Sequence, residues 1–573
     1  MQSFDFLENI WRIIDMRMKK TIALIAAMAM AASAFAACGN TDGNTENTDA
    51  SDTASAQADN ADSTETSAGV NSDGTSEVLN AVFGDIRTEF NNDLDLSDYP
   101  LTSSDVPADY EAVYEAENAE LTGSCAAKDG GDMTSGGGYV DGLNQEGDSI
   151  TFTINCEYSG FYDLDFPTMG DNGRVNYVLA DGEKIGEITT TTPESFGDSM
   201  VLNVYFEAGE HTVQLLPYWG YVYVDCLKMT ASDSVNEDTY KVTKPLSNPN
   251  ADENTQRLYK FLCDIYGKYT LAGQYADEGR QSSELEKIKK RTGKEFSVLG
   301  LDVSGYSLGS KAHGTESRTV EYAYDWYTNA GGIVQLCWHW TTPEEYAKND
   351  SDNPWYSSFY KEGSRLDLDK IMNGEDDKGY QLLMDDIDNM AEQLARLRDA
   401  GVPVLWRPLH EAAGGWFWWG NCQPESYIKL WNVMYDKMTN EHNLTNLIWI
   451  WNGQDPAWYP GDETVDIVGW DIYAGNHVYT SQSGRFADMA VNYGDETKLI
   501  ALTENGCVMD PDNTFRDNSR WLFWGTWSDP FTMKLGVVLN DEYTELEILD
   551  KAYNHERVLT LDELPDLKNY PLD

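Results

Sequence analysis

The run Arg407-Pro408-Leu409-His410-Glu411 closes an apolar stretch, and Ala412-Ala413-Gly414-Gly415-Trp416-Phe417-Trp418-Trp419-Gly420 follows it directly. A second apolar run ends Leu502-Thr503-Glu504-Asn505. Two carboxylates among aromatic rings are what cleavage of a glycosidic bond requires. One donates a proton to the leaving oxygen and the other meets the developing oxocarbenium carbon. A lone Glu at a strand end is usually a solvated terminus, but Glu411 beside Gly-Gly-Trp-Phe-Trp-Trp is a stronger signal. His339 and His410 suggest a different chemistry, a zinc centre completed by a carboxylate, although spacing points to no third ligand.

Positioning these groups falls to a βα alternation after residue 250. Apolar runs occur at Tyr269–Tyr275, Phe296–Val303, Gly332–Trp340, Val402–Glu411, Asn446–Trp451, Val465–Tyr473, Leu499–Glu504 and Trp521–Trp527. Amphipathic stretches separate them, most clearly Tyr380–Leu397, where Leu383, Ile387, Met390, Leu394 and Leu397 recur at helical spacing. Short continuous apolar strands alternating with helices imply a parallel sheet covered on both faces. Eight such units over residues 251–573 predict a (β/α)₈ TIM barrel. An open doubly wound sheet is the competitor, but no Gly-rich phosphate loop follows the first strand. In a barrel the chemistry sits at the C-terminal ends of the strands, where Glu411 and Glu504 fall.

The front of the chain has a different texture. Met16–Lys20 is basic, Thr21–Ala37 is apolar, and Cys38 follows. Residues 1–38 therefore read as a secretory signal, with Met16 or Met18 as the expected true start. Phe35-Ala36-Ala37-Cys38 resembles a bacterial lipobox, with Phe where Leu is usual. That resemblance implies lipidation at Cys38 and residence on the outer face of a cell membrane; plain secretion is the alternative. Residues 39–110 read as an acidic, disordered tether, within which Val78, Leu79, Val82 and Phe83 are the residues able to dock. Residues 111–231 alternate in short runs, with Ile150, Phe152 and Ile154 facing one way, and predict a β-sandwich. Asp181-Gly182 is a hairpin signal there, and Ala208-Gly209 a second turn. Residues 232–250, with Pro245 and Pro249, read as a linker.

Composition limits the partners. The 40 Lys and Arg against 97 Asp and Glu give a formal charge of −57, which argues against nucleic acid and other acidic polymers. A neutral polymer remains open. Eighteen Trp and 33 Tyr supply flat amphipathic rings suited to sugar faces as well as to cores. Eight Cys without CxxC spacing indicate neither a zinc ribbon nor a disulfide framework, and leave the redox state of Cys125, Cys156 and Cys226 open. The only membrane contact expected is a lipid anchor, and the chain is expected to act as a monomer.

On RPLHE with WFWWG, Leu502-Thr503-Glu504-Asn505, and Gly332-Ile333-Val334 leading to Trp338-His339, the chain from about residue 251 onward resembles glycoside hydrolase family 26. The resemblance implies a retaining endo-β-1,4-mannanase without a catalytic cofactor, acting on neutral β-mannan. It makes Glu411 the acid/base and Glu504 the nucleophile. His339, His410, Trp416 and Tyr473 match positions around the scissile sugar, and Arg407 is a candidate to hold Glu504 ionised. Trp527, with Trp524 second, matches a tryptophan that stacks under the sugar. Ser528 stands where many relatives have arginine. Enzymes for β-1,3-xylan or mixed-linkage β-glucan belong to the same family and remain alternatives, as does a non-catalytic surface glycan-binding lipoprotein. Over residues 111–231, Tyr114–Ala119, the Gly-rich Gly136–Gly142 and Trp219–Asp225 resemble carbohydrate-binding module family 35. That resemblance implies a structural calcium held by Glu115, Glu117 and Asp225, and makes Trp219 and Tyr221 sugar platforms.

Overall fold

The computed structural model describes residues 79–572, apart from Asn172 and Thr191. Residues 1–78, including the signal and Cys38, lie outside the described residues.

The sandwich over 111–231 forms from the alternation the sequence shows. Ile150, Phe152 and Ile154 on the strand Ser149–Cys156 are buried, and Thr153 and Asn155 face outward. Their apolar face meets Val178, Val213, Leu215, Val204, Leu227 and Met229 in one core. A five-stranded sheet runs in the order Glu120–Thr122, Ser149–Cys156, Gly209–Trp219, Arg174–Ala180, Glu183–Thr190. A four-stranded sheet (Glu111–Glu115, Cys226–Ala231, Gly160–Asp165, Met200–Phe206) belongs to the same module. Asp181 and Gly182 both take positive φ, 48° and 87°, the two-residue turn whose twist suits a hairpin. The turn at Ala208-Gly209 does something else: it carries the chain from one sheet to the other.

The eight apolar runs close into a parallel barrel. Its strands are Gly273–Tyr275, Val298–Asp302, Ile333–Cys337, Val404–Arg407, Leu447–Trp451, Ile467–Ile472, Leu499–Asn505 and Trp524–Thr526. The fold is thus a (β/α)₈ barrel preceded by a β-sandwich. Helix Asp377–Asp399 illustrates the outer layer. Asp376 caps its N-terminus by accepting from Gly379 N, and Leu383, Ile387, Met390, Leu394 and Leu397 are buried on one face.

The expected tether is shorter than its composition implied, because residues 79–110 are docked, Phe83 to Thr102 against the barrel domain and Ser104, Asp105 and Tyr110 against the sandwich. Phe83 N donates to Asp325, and Arg87 bonds Asn329, Asp562 and Leu564 through carbonyls and its own amide. The buried guanidinium of Arg520 holds the carbonyls of Tyr99 and Pro100. The linker over 232–250 is likewise docked. Thr243 and Lys244 donate to Thr497 O, and Ser247 is held by the buried Asp466. The described cysteines are free thiols, Cys125, Cys156 and Cys226 among them.

Candidate active site

The fourth barrel strand ends at Arg407, and the backbone then enters an unusual path. Leu409 and Glu411 both adopt left-handed φ, 51° and 53°, which costs a non-glycine residue roughly 1–3 kcal/mol each. The surroundings over-determine that conformation. Glu411 N donates to Asn452 O at 2.6 Å, Trp419 Nε1 to His410 O at 2.8 Å, and Tyr427 OH to Leu409 O at 3.2 Å. This explains the aromatic run. Trp418 and Trp419 are buried struts, with Trp418 Nε1 donating to Trp340 O, and Phe417 stacks on Trp419. Trp416 alone among the four bonds a carboxylate, donating Nε1 to Glu411 Oε2 at 2.9 Å.

Glu504 meets Glu411 across the mouth. The nearest carboxyl oxygens of Glu411, Asp471 and Glu504 lie within 4.8 Å of one another. Arg407, fully buried, divides its guanidinium between them, with Nη1 to Asp471 Oδ2 at 2.6 Å and Nη2 to Glu504 Oε2 at 2.5 Å. Nη2 also donates to Tyr275 OH at 3.0 Å. Tyr473 donates its hydroxyl to Glu504 Oε1. Desolvation pushes the Glu411 carboxyl well up, and the charges of Asp471 and Glu504 push it further, against Arg407 and Trp416. Desolvation opposes the charge on Arg407, but Asp471, Tyr275 and Glu504 reverse it and raise its pKa well above the usual value.

His339 and His410 are side by side, sharing an Nε2···Nε2 contact of 3.2 Å. His339 Nδ1 bonds Asp302 Oδ2 at 2.9 Å. Burial, then the neighbouring Arg407 and His339, pull His410 well below the usual imidazole pKa, so it is neutral. His339 falls with Asp302 and Cys337 in a group of side chains close enough to hold a metal ion, but among the described residues His410 joins no such group, so the two histidines do not share one. Trp527, partly exposed, lies 4.6 Å from the Tyr275 ring and 5.7 Å from His339, at the mouth. Trp524 does not: it is buried and packs edge-on against Tyr553 of helix Leu546–Tyr553, outside the barrel. Strand alternation explains the correction, since the neighbouring Gly525 faces Thr503 and Tyr275, leaving Trp524 to point outward. Ser528 brings no cation to this mouth.

Supporting groups escaped the sequence reading. Asn452 Nδ2 donates to Asp471 Oδ1 at 2.7 Å and to Thr503 Oγ1 at 2.6 Å, and Thr503 Oγ1 donates to Asp471 Oδ1 at 2.8 Å. Gln335 donates to Tyr275 OH and to Thr503 O. With Asp302 and Tyr275, these residues are polar and lie at or within the C-terminal halves of apolar strands or just past them, a signal the sequence does carry.

On the module, Trp219 is 47 % exposed and Tyr221 is 36 % exposed, with Tyr221 OH donating to Asp141. Asp225 accepts Ser135 N on both oxygens, at 2.9 and 3.1 Å, and Ser135 Oγ donates to Glu115 Oε1 at 2.9 Å. Glu115 Oε2 and Glu117 Oε2 are buried without a hydrogen-bond partner. Gly136 and Gly138 let the backbone lie on these acids: a Cβ at either would fall 2.6 Å from Glu115 Cδ or 2.5 Å from Glu117 Cδ. Desolvation, opposed by Ser135 and reinforced by Glu115, raises the Asp225 carboxyl. Orphaned hard oxygens in a buried cradle fit Ca²⁺.

Residues 112–232 match the carbohydrate binding module family 35. A mannan endo-1,4-beta-mannosidase of Thermothelomyces thermophilus is 36% identical over 462 residues, 80% of this chain and 91% of that protein. Mannan endo-1,4-beta-mannosidase B of Piromyces sp is 33% identical, over 79% of this chain and 77% of that one. The crystal structure of a Podospora anserina GH26-CBM35 beta-(1,4)-mannanase superposes with a TM-score of 0.55 at 34% identity, covering 80% of this chain and 99% of that one. Residues 247–563, more than half of the sequence and the whole of the barrel, match glycosyl hydrolase family 26, and to that family the chain belongs.

Proposed function

We propose that the chain is a retaining endo-β-1,4-mannanase in which Glu411 is the acid/base and Glu504 the nucleophile. The observation that carries this reading is the carboxylate pair at the barrel mouth. Its oxygens lie within 4.8 Å together with Asp471, a spacing for direct attack rather than for an intervening water. Glu504 accepts from Arg407 Nη2 and from the Tyr473 hydroxyl, which fix the carboxyl opposite Glu411. Glu411 carries the proton that the leaving oxygen takes. Once a glycosyl-enzyme forms on Glu504, the deprotonated Glu411 activates water, work worth roughly 10²- to 10⁴-fold in rate. His339, His410, Trp416 and Trp527 surround the position of the scissile sugar. The names of the relatives above support mannan as the polymer. The module would hold calcium at Glu115, Glu117 and Asp225 and present Trp219 and Tyr221 to polysaccharide. We assign Cys38 as a lipidated N-terminus that places the enzyme on the outer face of a cell membrane.

Product analysis on linear mannan, galactomannan, β-1,3-xylan and lichenan in parallel tests the substrate; internal cleavage of mannan is expected, and faster turnover of another polymer refutes mannan. Leaving groups test the residues. With a dinitrophenyl β-glycoside, Glu411→Ala should glycosylate normally and be rescued by azide to the β-azide, while Glu504→Ala should be inert on every β-glycoside. Azide giving the β-product with Glu504→Ala instead would reverse the assignment.

A further inference from the structure

The module touches the segment that follows Tyr473. The hairpin turn at Asp181-Gly182 presents Lys184, whose side chain is only 13 % exposed. Its ammonium lies 3.8 Å from the Tyr177 ring centroid, and that ring stacks on Tyr218 at 4.4 Å. Glu187 pairs with the same ammonium at 2.8 Å. From this seat Lys184 Nζ donates to Ala474 O at 3.5 Å, and Thr480 Oγ1 donates to Lys184 O at 2.7 Å. Ala474 is the residue after Tyr473, whose hydroxyl bonds Glu504.

The rest of the interface holds this contact in register. Gly484, on helix Ser483–Asn492, abuts Val201 so closely that a Cβ would fall 2.7 Å from Val201 Cγ1. Asn203 Nδ2 donates to Asp517 O at 3.0 Å in a buried bond, and Asp517 Oδ2 accepts from Ser481 Oγ at 2.6 Å. Beyond Ala474 the loop is tied to the barrel, by His477 N to Tyr543 O and by Asn513 Nδ2 to Tyr479 O. The segment immediately after Tyr473 contains Gly475 at φ 116°, a flexible residue close to the nucleophile's hydrogen-bond donor. The module braces that segment from outside.

We propose that Lys184 is a positioning residue of the catalytic centre: by fixing the loop that follows Tyr473 it fixes the hydroxyl that aims and stabilises Glu504. This rests on the reading of Glu504 as nucleophile. It makes the module part of the active-site scaffold as well as a polysaccharide-binding unit, and it confines the effect of Lys184 to the chemical step, since Lys184 reaches Glu504 only through Tyr473.

The test uses the full chain and soluble mannotetraose, too short to depend on capture of polymer. Wild-type turnover that is lost in Glu504→Ala checks the underlying reading by itself. Lys184→Ala should then lower kcat about 10-fold with KM changed less than about twofold, because small misplacements of reacting groups are felt in the transition state. Lys184→Arg, which keeps the cation, should recover most of the loss. In a Tyr473→Phe background Lys184→Ala should add nothing, since residues acting through one group are not additive. Thr480→Val, which removes the bond to the Lys184 carbonyl together with the one Thr480 Oγ1 accepts from Gln482, should repeat the pattern more weakly, with Gln482→Leu as the control that should not, and decides the matter if Lys184→Ala folds poorly. Wild-type kcat in the folded single variants, or a loss fully retained on top of Tyr473→Phe, overturns the proposal.

Discussion

Replacing Trp416 by Phe should move the alkaline limb of kcat/KM upward by about one pH unit. Glu411 must be protonated to act as an acid, so activity falls as pH rises through its pKa, and in the free enzyme kcat/KM reports that titration. Trp416 Nε1 donates to Glu411 Oε2 at 2.9 Å, and this bond favours the carboxylate, holding the pKa below where burial and the neighbouring acids would put it. A hydrogen bond to a charged group is worth about 1.5–3 kcal/mol net, and one pKa unit is about 1.4 kcal/mol. Glu411 is partly exposed, so water replaces part of the bond and the lower end applies, giving about one unit. Loss of the indole will also lower kcat/KM as a whole through lost sugar contact; only the position of the limb is diagnostic. The assay is kcat/KM for mannotetraose across pH 5 to 10, with Glu411→Ala on a dinitrophenyl glycoside as the control that should lack the limb. A limb that stays in place or moves down in Trp416→Phe refutes the argument, as does its survival in Glu411→Ala.

Three further outcomes can be measured, the last resting on sequence alone. Arg407→Met should cost about 3–5 kcal/mol at pH 7, because it strands the buried carboxylates of Asp471 and Glu504. In that variant Asp471, already raised by burial, rises further above its unfolded value, so the deficit should shrink as pH falls from 7 to 5; a urea midpoint difference that widens on acidification contradicts this. Calcium should raise the melting temperature of the protein by mass action, about 2.7 kcal/mol at a hundredfold excess over Kd, and Glu117→Gln should abolish most of the response; equal melting in calcium and chelator removes the proposed site. Cys38→Ala should shift the protein from the detergent phase to the aqueous phase, and unchanged partitioning rejects the lipid anchor.

Much of the barrel was legible because its strands are continuous apolar runs ending in polar residues. Glu411 and Glu504 follow from that pattern, Tyr473 and Arg407 came with the family resemblance, and all four converge at one mouth. What escaped the sequence depends on partners far away along the chain. The tether's docked portion has apolar residues without a strong period, and its anchorage includes side chains bonding its carbonyls, such as Arg520 on Tyr99 and Pro100, some 420 positions later. No periodicity records such bonds. The docking of Lys184 on Ala474 is invisible for the same reason, although the Asp181-Gly182 turn that presents it was plain. Trp524, the second choice behind Trp527, is a different case: period-two alternation beside Gly525 already turns it outward.

On the proposed roles, the distribution of charge around Arg407 also accounts for one glutamate serving as acid and then as base. Three carboxylates crowd one guanidinium, and only two of them bond it. Placing a third negative charge there would leave the cluster at −2 in a site largely closed to water, so one proton must stay. It stays on Glu411, which has a single indole donor and no cation of its own, whereas Asp471 has Arg407, Asn452 and Thr503. After desolvation and Asp471, the charge of Glu504 also raises the Glu411 carboxyl. Formation of a glycosyl ester on Glu504 would erase that charge at the step in which Glu411 gives up its proton. The carboxylate left on Glu411 would then face one negative neighbour fewer, with Arg407 freed of one of its two anions, so its pKa falls just when it must act as a base toward water. The same arrangement restores the acid when the ester is hydrolysed and the charge returns to Glu504, so the two roles of Glu411 require no movement of the backbone, only the arrival and departure of a sugar on its neighbour.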